Sequence, residues 1–157
     1  MGCDIHAFAE VRSKKTGKWH DDDFRPFDDR NYSLFAFLAD VRNYDCCEPL
    51  SQPRGLPDDV SSYVEQEYEQ WGPDGHSASH FTLKELLDYD YDKTFWNRRV
   101  GKQLGPNHWT GAALAEEGEG QVISYRENLG ENFFADLKHL ATLGDPDDVR
   151  IVFWFDN

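Results

Sequence analysis

An imidazole two residues from a carboxylate on an alternating segment is a compact chemical pair, and Asp4 and His6 form one near the start of the chain. From Asp4 to Arg12, Ile5, Ala7, Ala9 and Val11 alternate with Asp4, His6, Phe8 and Glu10. A period of two sets Asp4 and His6 on one face of a half-buried strand, about 7 Å apart along it. There they can flank one ligand, the carboxylate orienting His6 as a general base, or share a divalent metal. A solvated face or a structural His–Asp bond fits the same pattern. The second constellation is Asp74-Gly75-His76-Ser77-Ala78-Ser79-His80, read as a loop before a helix capped by Thr82. Loop N–H groups, the Ser77 and Ser79 hydroxyls and a helix N-terminus would favour an anion, with His76 as acid, base or metal ligand. A Ser-rich capping loop is the structural alternative. The His76–His80 spacing lacks the glutamate of a zinc-protease motif, and Ser77 lacks a nucleophile elbow. The third is Arg54-Gly55-Leu56-Pro57-Asp58-Asp59, a proline-stiffened loop that either offers Arg54 to a phosphate or bonds it to its own aspartates.

These residues need elements to hold them. Lys14-Lys15-Thr16-Gly17 is turn chemistry, so Lys18 to His20 reads as the return strand of a hairpin. Leu34, Phe37, Leu38 and Val41 recur at helical spacing behind Ser33 or Asn31 as cap, ending near Asn43. Asp58 or Asp59 is expected to cap a second helix carrying Val60, Tyr63, Val64, Tyr68 and Trp71 on one face, stopped by Gly72-Pro73. Thr82 and Glu85 form a capping box, with Phe81 and Leu86 as staple. Residues 93–120 read as long loops with a short helix near Ala112 to Glu116, and Gln121 to Tyr125 as a strand. Asn132 to Leu143 is helical up to Gly144-Asp145-Pro146. Val149 to Phe155 is apolar on both faces and predicts a central strand beside the first. The sum is a single α+β domain over 1–157: a small sheet containing the N- and C-terminal strands, with helices packed on it.

Thirty acidic against sixteen basic residues give a net charge of −14. That field argues against a nucleic-acid polymer or an acidic membrane as direct partner. It leaves room for a small anion such as a nucleotide, held by converging arginines. Between Trp19 and Leu83 all four cations are arginines, Arg25, Arg30, Arg42 and Arg54, whose planar forks suit phosphate. Pairing with nearby aspartates is the plainer use. Five Trp, seven Tyr and eleven Phe can fill a core or line a pocket for a planar ligand. Arg42 and Tyr32 join Arg54, Ser77 and Ser79 as ligand-contact candidates, and His6, His76 and Asp4 are the catalytic candidates. No spacing fixes a metal ligand set; Asp21-Asp22-Asp23 lacks the pattern of a calcium loop. Cys3, Cys46 and Cys47 are read as free thiols, and His6 stands where N-myristoylation wants Ser or Thr. The expected compartment is the cytoplasm of a bacterial host.

The opening Met1-Gly2-Cys3-Asp4-Ile5-His6, with Arg30-Asn31-Tyr32, Leu34-Phe35, Ala39-Asp40-Val41-Arg42-Asn43, Arg54 to Asp59 and Asp74 to Ser79, resembles a family of uncharacterised phage and bacterial proteins. The resemblance covers roughly the first ninety residues and implies a phage-associated origin. It brings no catalytic residues with it. Such a context makes a host-defence nucleotide signal a sensible ligand. Two functions follow. One is a phosphodiesterase-like hydrolase acting on a nucleotide, with His6, His76, Asp4 and Arg54 converging on one pocket. The other is a non-enzymatic binder that sequesters a nucleotide signal or acts as an acidic inhibitor of a host protein, with a second copy of the chain as a further partner to consider.

Overall fold

The computed structural model describes residues 2–157. Its elements in chain order are β1 (Asp4–Arg12), β2 (Trp19–Asp21), α1 (Tyr32–Ala39), α2 (Ser62–Glu69), β3 (Gly75–Thr82), α3 (Leu83–Asp88), β4 (Thr94–Asn97), β5 (Arg99–Gly105), β6 (His108–Leu114), β7 (Gln121–Ser124), α4 (Tyr125–Leu129), α5 (Glu131–Ala141) and β8 (Val149–Asp156). The protein is α+β. Two compact units share these elements. The first gathers the chain up to Arg30 with Pro53–Tyr89 and Glu131–Asn157, and the second gathers Asn31–Gln52 with Asp90–Gly130.

The first unit is built on a four-stranded sheet in the order β2-β1-β8-β3, antiparallel at every junction. The N- and C-terminal strands therefore pair, and β8 is the interior strand that apolar residues on both its faces predict. Register sets His6, Phe8 and Glu10 beside Trp154, Val152 and Arg150 on one face. Helix α2 covers that face: Phe8, Val64, Ala78, Val152 and Trp154 form a core, with Tyr68 and Trp71 packed against it. Gly75 is small because a Cβ there would stand 3.0 Å from the Cβ of Trp71. On the opposite face Ile5, Ala7 and Ala9 are buried with Phe81, Phe153 and Phe155, and α3 packs on α5 and β8.

Several elements depart from the sequence reading. Residues 75–80, expected as loop, are most of β3, with a register shift between His76 and Ser79 and Ser77 at φ +55°. The N-cap of α2 is Ser61 rather than Asp58 or Asp59. Asp59 instead accepts from Arg150 Nη1 at 2.8 Å. Residues 93–120 are largely strands: β4 pairs with β7 and β5 with β6. The Thr82–Glu85 capping box and the Asn31 cap of α1 are present.

In the second unit α1 is buried along its length from Leu34 to Ala39. A helix apolar all round is an interior helix. The Phe37 ring centroid lies 5.8 Å from that of Tyr91 and 5.7 Å from that of Tyr125, and the Tyr125 hydroxyl donates to Glu48 O.

Candidate ligand-binding site

The sequence-named residues of the first unit do not meet in one pocket. His6 pairs in register with Trp154 and His76 with Phe155, adjacent residues of one strand, so the two imidazoles stand on opposite faces of the sheet. The expected convergence of Asp4, His6, Arg54 and His76 is corrected by that register. Each has a local partner instead. His6 donates from Nε2 to Asp156 Oδ2 at 2.6 Å and packs tilted against Trp71, with ring centroids 4.3 Å apart and planes 33° from parallel. Asp4 takes a bidentate pair from Arg30, at 2.8 and 2.9 Å, and the guanidinium holds its carboxyl below the usual aspartate range. His76 sits between the Ser77 hydroxyl, 3.0 Å from Nδ1, and Asn157 Oδ1, 3.1 Å from Nε2.

Arg54 is spent on structure. Its guanidinium pairs with Glu85 at 2.7 Å, donates to His80 O and lies 4.4 Å from the Phe81 ring centroid. Its loop runs along β3: Arg54 N donates to buried Ser79 Oγ, Gly55 N to Ala78 O, and His80 Nδ1 to Gly55 O. This covers a strand that would otherwise expose an unpaired edge. Ser79 is thus part of the latch.

Tyr32 and Arg42 belong to a different cluster, within the second unit. Arg42 donates to the Tyr44 hydroxyl at 3.2 Å, and its guanidinium carbon lies 5.7 Å from the Tyr32 ring centroid. Arg99 stands 5.9 Å from the Tyr44 ring centroid. Beside this array opens a cavity of about 360 Å³ lined by Ser33, Asp45, Asn97, Arg99, Gly120 and Gln121. Mononucleotide-sized ligands occupy pockets of roughly 300 Å³ and upward.

Local sequence builds each wall. Asn31 caps α1, whose first turn carries Tyr32 and Ser33 and no acidic residue to offset the helix dipole. The turn after α1 holds Asp40, Arg42 and Cys46 at φ +59°, +51° and +60°, none of them glycine. Such conformations cost on the order of 1–3 kcal/mol each and persist only where neighbours over-determine them. Asn43 supplies that constraint, donating to Asp40 Oδ1 and Cys47 O and accepting from Cys47 N. The result fixes Arg42, Tyr44 and Asp45 side by side. On the far wall Gly120, at φ +72°, is required, since a Cβ would come within 2.5 Å of Asn97 O.

A polar chain of fixed direction runs under the cavity. Arg99 N donates to Asn97 Oδ1, Asn97 Nδ2 to Asn128 Oδ1, and Asn128 Nδ2 to Asp45 Oδ2, each at 2.9 Å. It ends on a carboxylate that is 2% exposed. Burial and the carboxylates of Asp45 and Asp40 push the neighbouring Cys47 thiol up to about 12, so it is inert as a nucleophile.

Electrostatics single out the same place. Arg12, Arg25, Arg30, Arg54, Arg126 and Arg150 each pair with a carboxylate, whereas Arg98 and Arg99 make no ion pair among the described residues. Arg98 spans Ala115 O and the Trp96 ring, and Arg99 Nε donates to Gly111 O. The sequence reading missed Arg99, Asp45 and Asn97. One signal was available: from Lys93 to Leu114 the chain has four Lys or Arg and no Asp or Glu, inside a chain of net charge −14. No group of three or more His, Cys, Asp or Glu among the described residues is placed to hold a metal ion, and no helix among them is long and apolar enough to cross a membrane. Compared with protein-family models, characterised proteins and solved structures, the chain matches none.

Proposed function

We propose that the protein binds a small anionic ligand with a planar ring, a nucleotide-class molecule, in the cavity of the second unit. The carrying observation is Arg99, a cavity-lining guanidinium without a carboxylate partner among the described residues, in a chain with thirty acidic residues. An arginine left unpaired beside a cavity is a ready bidentate donor to phosphate. Tyr44, whose ring centroid lies 5.9 Å from the Arg99 guanidinium, is the aromatic ring next to that donor. In the phage context suggested by the opening residues, such a site would withdraw a nucleotide signal from a host.

Isothermal titration with nucleoside monophosphates and cyclic dinucleotides, followed by chromatography of the recovered ligand, tests this. Intact ligand recovered after saturable binding is the expected result. Arg99→Ala should weaken binding by about 1.5–3 kcal/mol, the worth of a charge-assisted contact, with the melting temperature little changed. Saturable binding that Arg99→Ala leaves untouched would reject the site. The His6–Asp156 pair is the observation favouring hydrolysis, because a carboxylate-oriented imidazole is what a general base requires. Cleaved ligand whose formation is lost in His6→Ala would establish that second reading.

A further inference from the structure

Asp45 is a buried carboxylate that its own fold leaves half-used. It lines the cavity at 2% exposure, Oδ2 accepts from Asn128, and no donor among the described residues reaches Oδ1. A carboxylate is acceptor-only and accommodates about four donors, so an oxygen with no protein donor at the cavity wall is open to a donor from a ligand. The Asn97–Asn128 relay adds to this, since its direction commits Asn128 to present N–H and not C=O to the acid. The site is therefore built to keep an acceptor on the cavity wall.

We infer that the cavity selects a guanine ring, Asp45 accepting from two adjacent ring-edge donors. This rests on the nucleotide-binding reading above. Among the common bases only guanine offers neighbouring donors, N1–H and the N2 amino group, to a two-oxygen acceptor. Adenine and cytosine present one amino group beside a ring nitrogen lone pair, and uracil flanks its N–H with two carbonyls. Each of those would set a lone pair against the carboxylate, in a buried place where an unmatched polar contact is not repaid by water. Arg99, from the opposite end of the same relay, is left for phosphate.

The test titrates the full chain with guanosine, inosine, adenosine and xanthosine 5′-monophosphates at one salt concentration. Guanosine monophosphate should bind about 10- to 100-fold more tightly than adenosine monophosphate, with inosine monophosphate, which lacks the N2 amino group, about 10-fold weaker than guanosine. Asp45→Asn replaces one acceptor with an N–H donor, so it should lose guanosine monophosphate and gain xanthosine monophosphate, whose position-2 oxygen accepts. A merely structural Asp45 would not produce that exchange. Equal affinity for guanosine and adenosine monophosphates overturns the inference while leaving nucleotide binding standing. Binding of none of the four overturns both. A folded Asp45→Asn that still prefers guanosine monophosphate also overturns it, and if that variant fails to fold, the wild-type order of guanosine, inosine and adenosine decides alone.

Discussion

Arg150 carries a full charge into the sheet face beneath α2, at 5% exposure, and the fold meets every part of it. Nε donates to Glu10 Oε1 at 2.7 Å, Nη1 to Asp59 Oδ1 at 2.8 Å, and the guanidinium carbon lies 4.0 Å from the Trp19 ring centroid. The other oxygen of fully buried Glu10 accepts from Ser61 N at the start of α2. Removing one partner strands the other as an uncompensated buried charge. Arg150→Leu should therefore cost about 3–5 kcal/mol, while Glu10→Met with Arg150→Leu should recover part of it, because an apolar pair of similar volume needs no desolvation but leaves the Ser61 N–H without its acceptor. Urea midpoints of the two variants check this; a double variant as unstable as the single one contradicts it. Glu10 was legible as a strand residue on the polar side of an alternating pattern, yet not as buried, since its cover comes from residues fifty positions away. Tyr32 and Arg42 were named from their residue types alone, and the structure sets them against each other, the guanidinium carbon 5.7 Å from the ring centroid. Asp45 was not legible, because one aspartate among thirty acids is marked only by the relay that buries it.

At the scale of elements, two helices start at a hydroxyl residue, Thr82 followed by Glu85 three positions on and Ser61 by Val64, and the two starts differ in structure. Thr82 accepts from Glu85 N at 3.1 Å while Glu85 Oε1 accepts from Thr82 N at 3.0 Å, a closed box. Ser61 holds the same position before α2, but its hydroxyl caps nothing and is buried without a partner. Thr82→Ala should cost about 1 kcal/mol, and Ser61→Ala should fall within about 0.5 kcal/mol of wild type. Equal losses in a denaturation series would show that the box carries no special weight. The box was legible because its partners are three residues apart. Strand β3 was not, because Gly, His, Ser and Ala have little strand preference, and this segment is a strand through pairing with β8 and through the Arg54–Gly55 latch. The β5–β6 ribbon was hidden for a related reason. Its glycines read as loop, but a Cβ on Gly101 would come within 2.5 Å of the Trp109 ring, so glycine is there to let an indole lie across the strand.

Across the whole molecule, the chain alternates between its two units, so no single boundary in the sequence marks them. The property that spans both is charge, and it predicts how stability follows pH. Arg30, Arg150, Arg126 and Lys14 hold Asp4, Asp59, Asp92 and Asp145 below the usual aspartate range through hydrogen bonds and charge. For Glu85 burial is the largest influence and pushes upward, but the bonds from Arg54 and Thr82 outweigh it and the carboxyl falls. A carboxyl lower in the folded state stabilises above its unfolded value, near pH 4, and that contribution is lost as pH falls through the folded value. Asp136 has the opposite sign: burial, only partly offset by the Phe27 N–H bond, raises it, so its penalty appears as pH rises through the folded value. Asp136→Asn, which keeps an acceptor for Phe27, should raise the urea midpoint at pH 7 and leave it unchanged near pH 3. Self-repulsion of the −14 charge also relaxes as pH drops toward the isoelectric point near 4.6, while the paired carboxylates remain ionised. The wild-type midpoint should therefore pass through a maximum between about pH 5 and 7 and fall steeply below pH 4. Because most of these pairs are exposed, 1 M salt, with a Debye length of about 3 Å, should flatten both limbs. A midpoint that climbs steadily to pH 3, or a profile indifferent to salt, would mean that the ion pairs and the net charge contribute nothing to holding this fold.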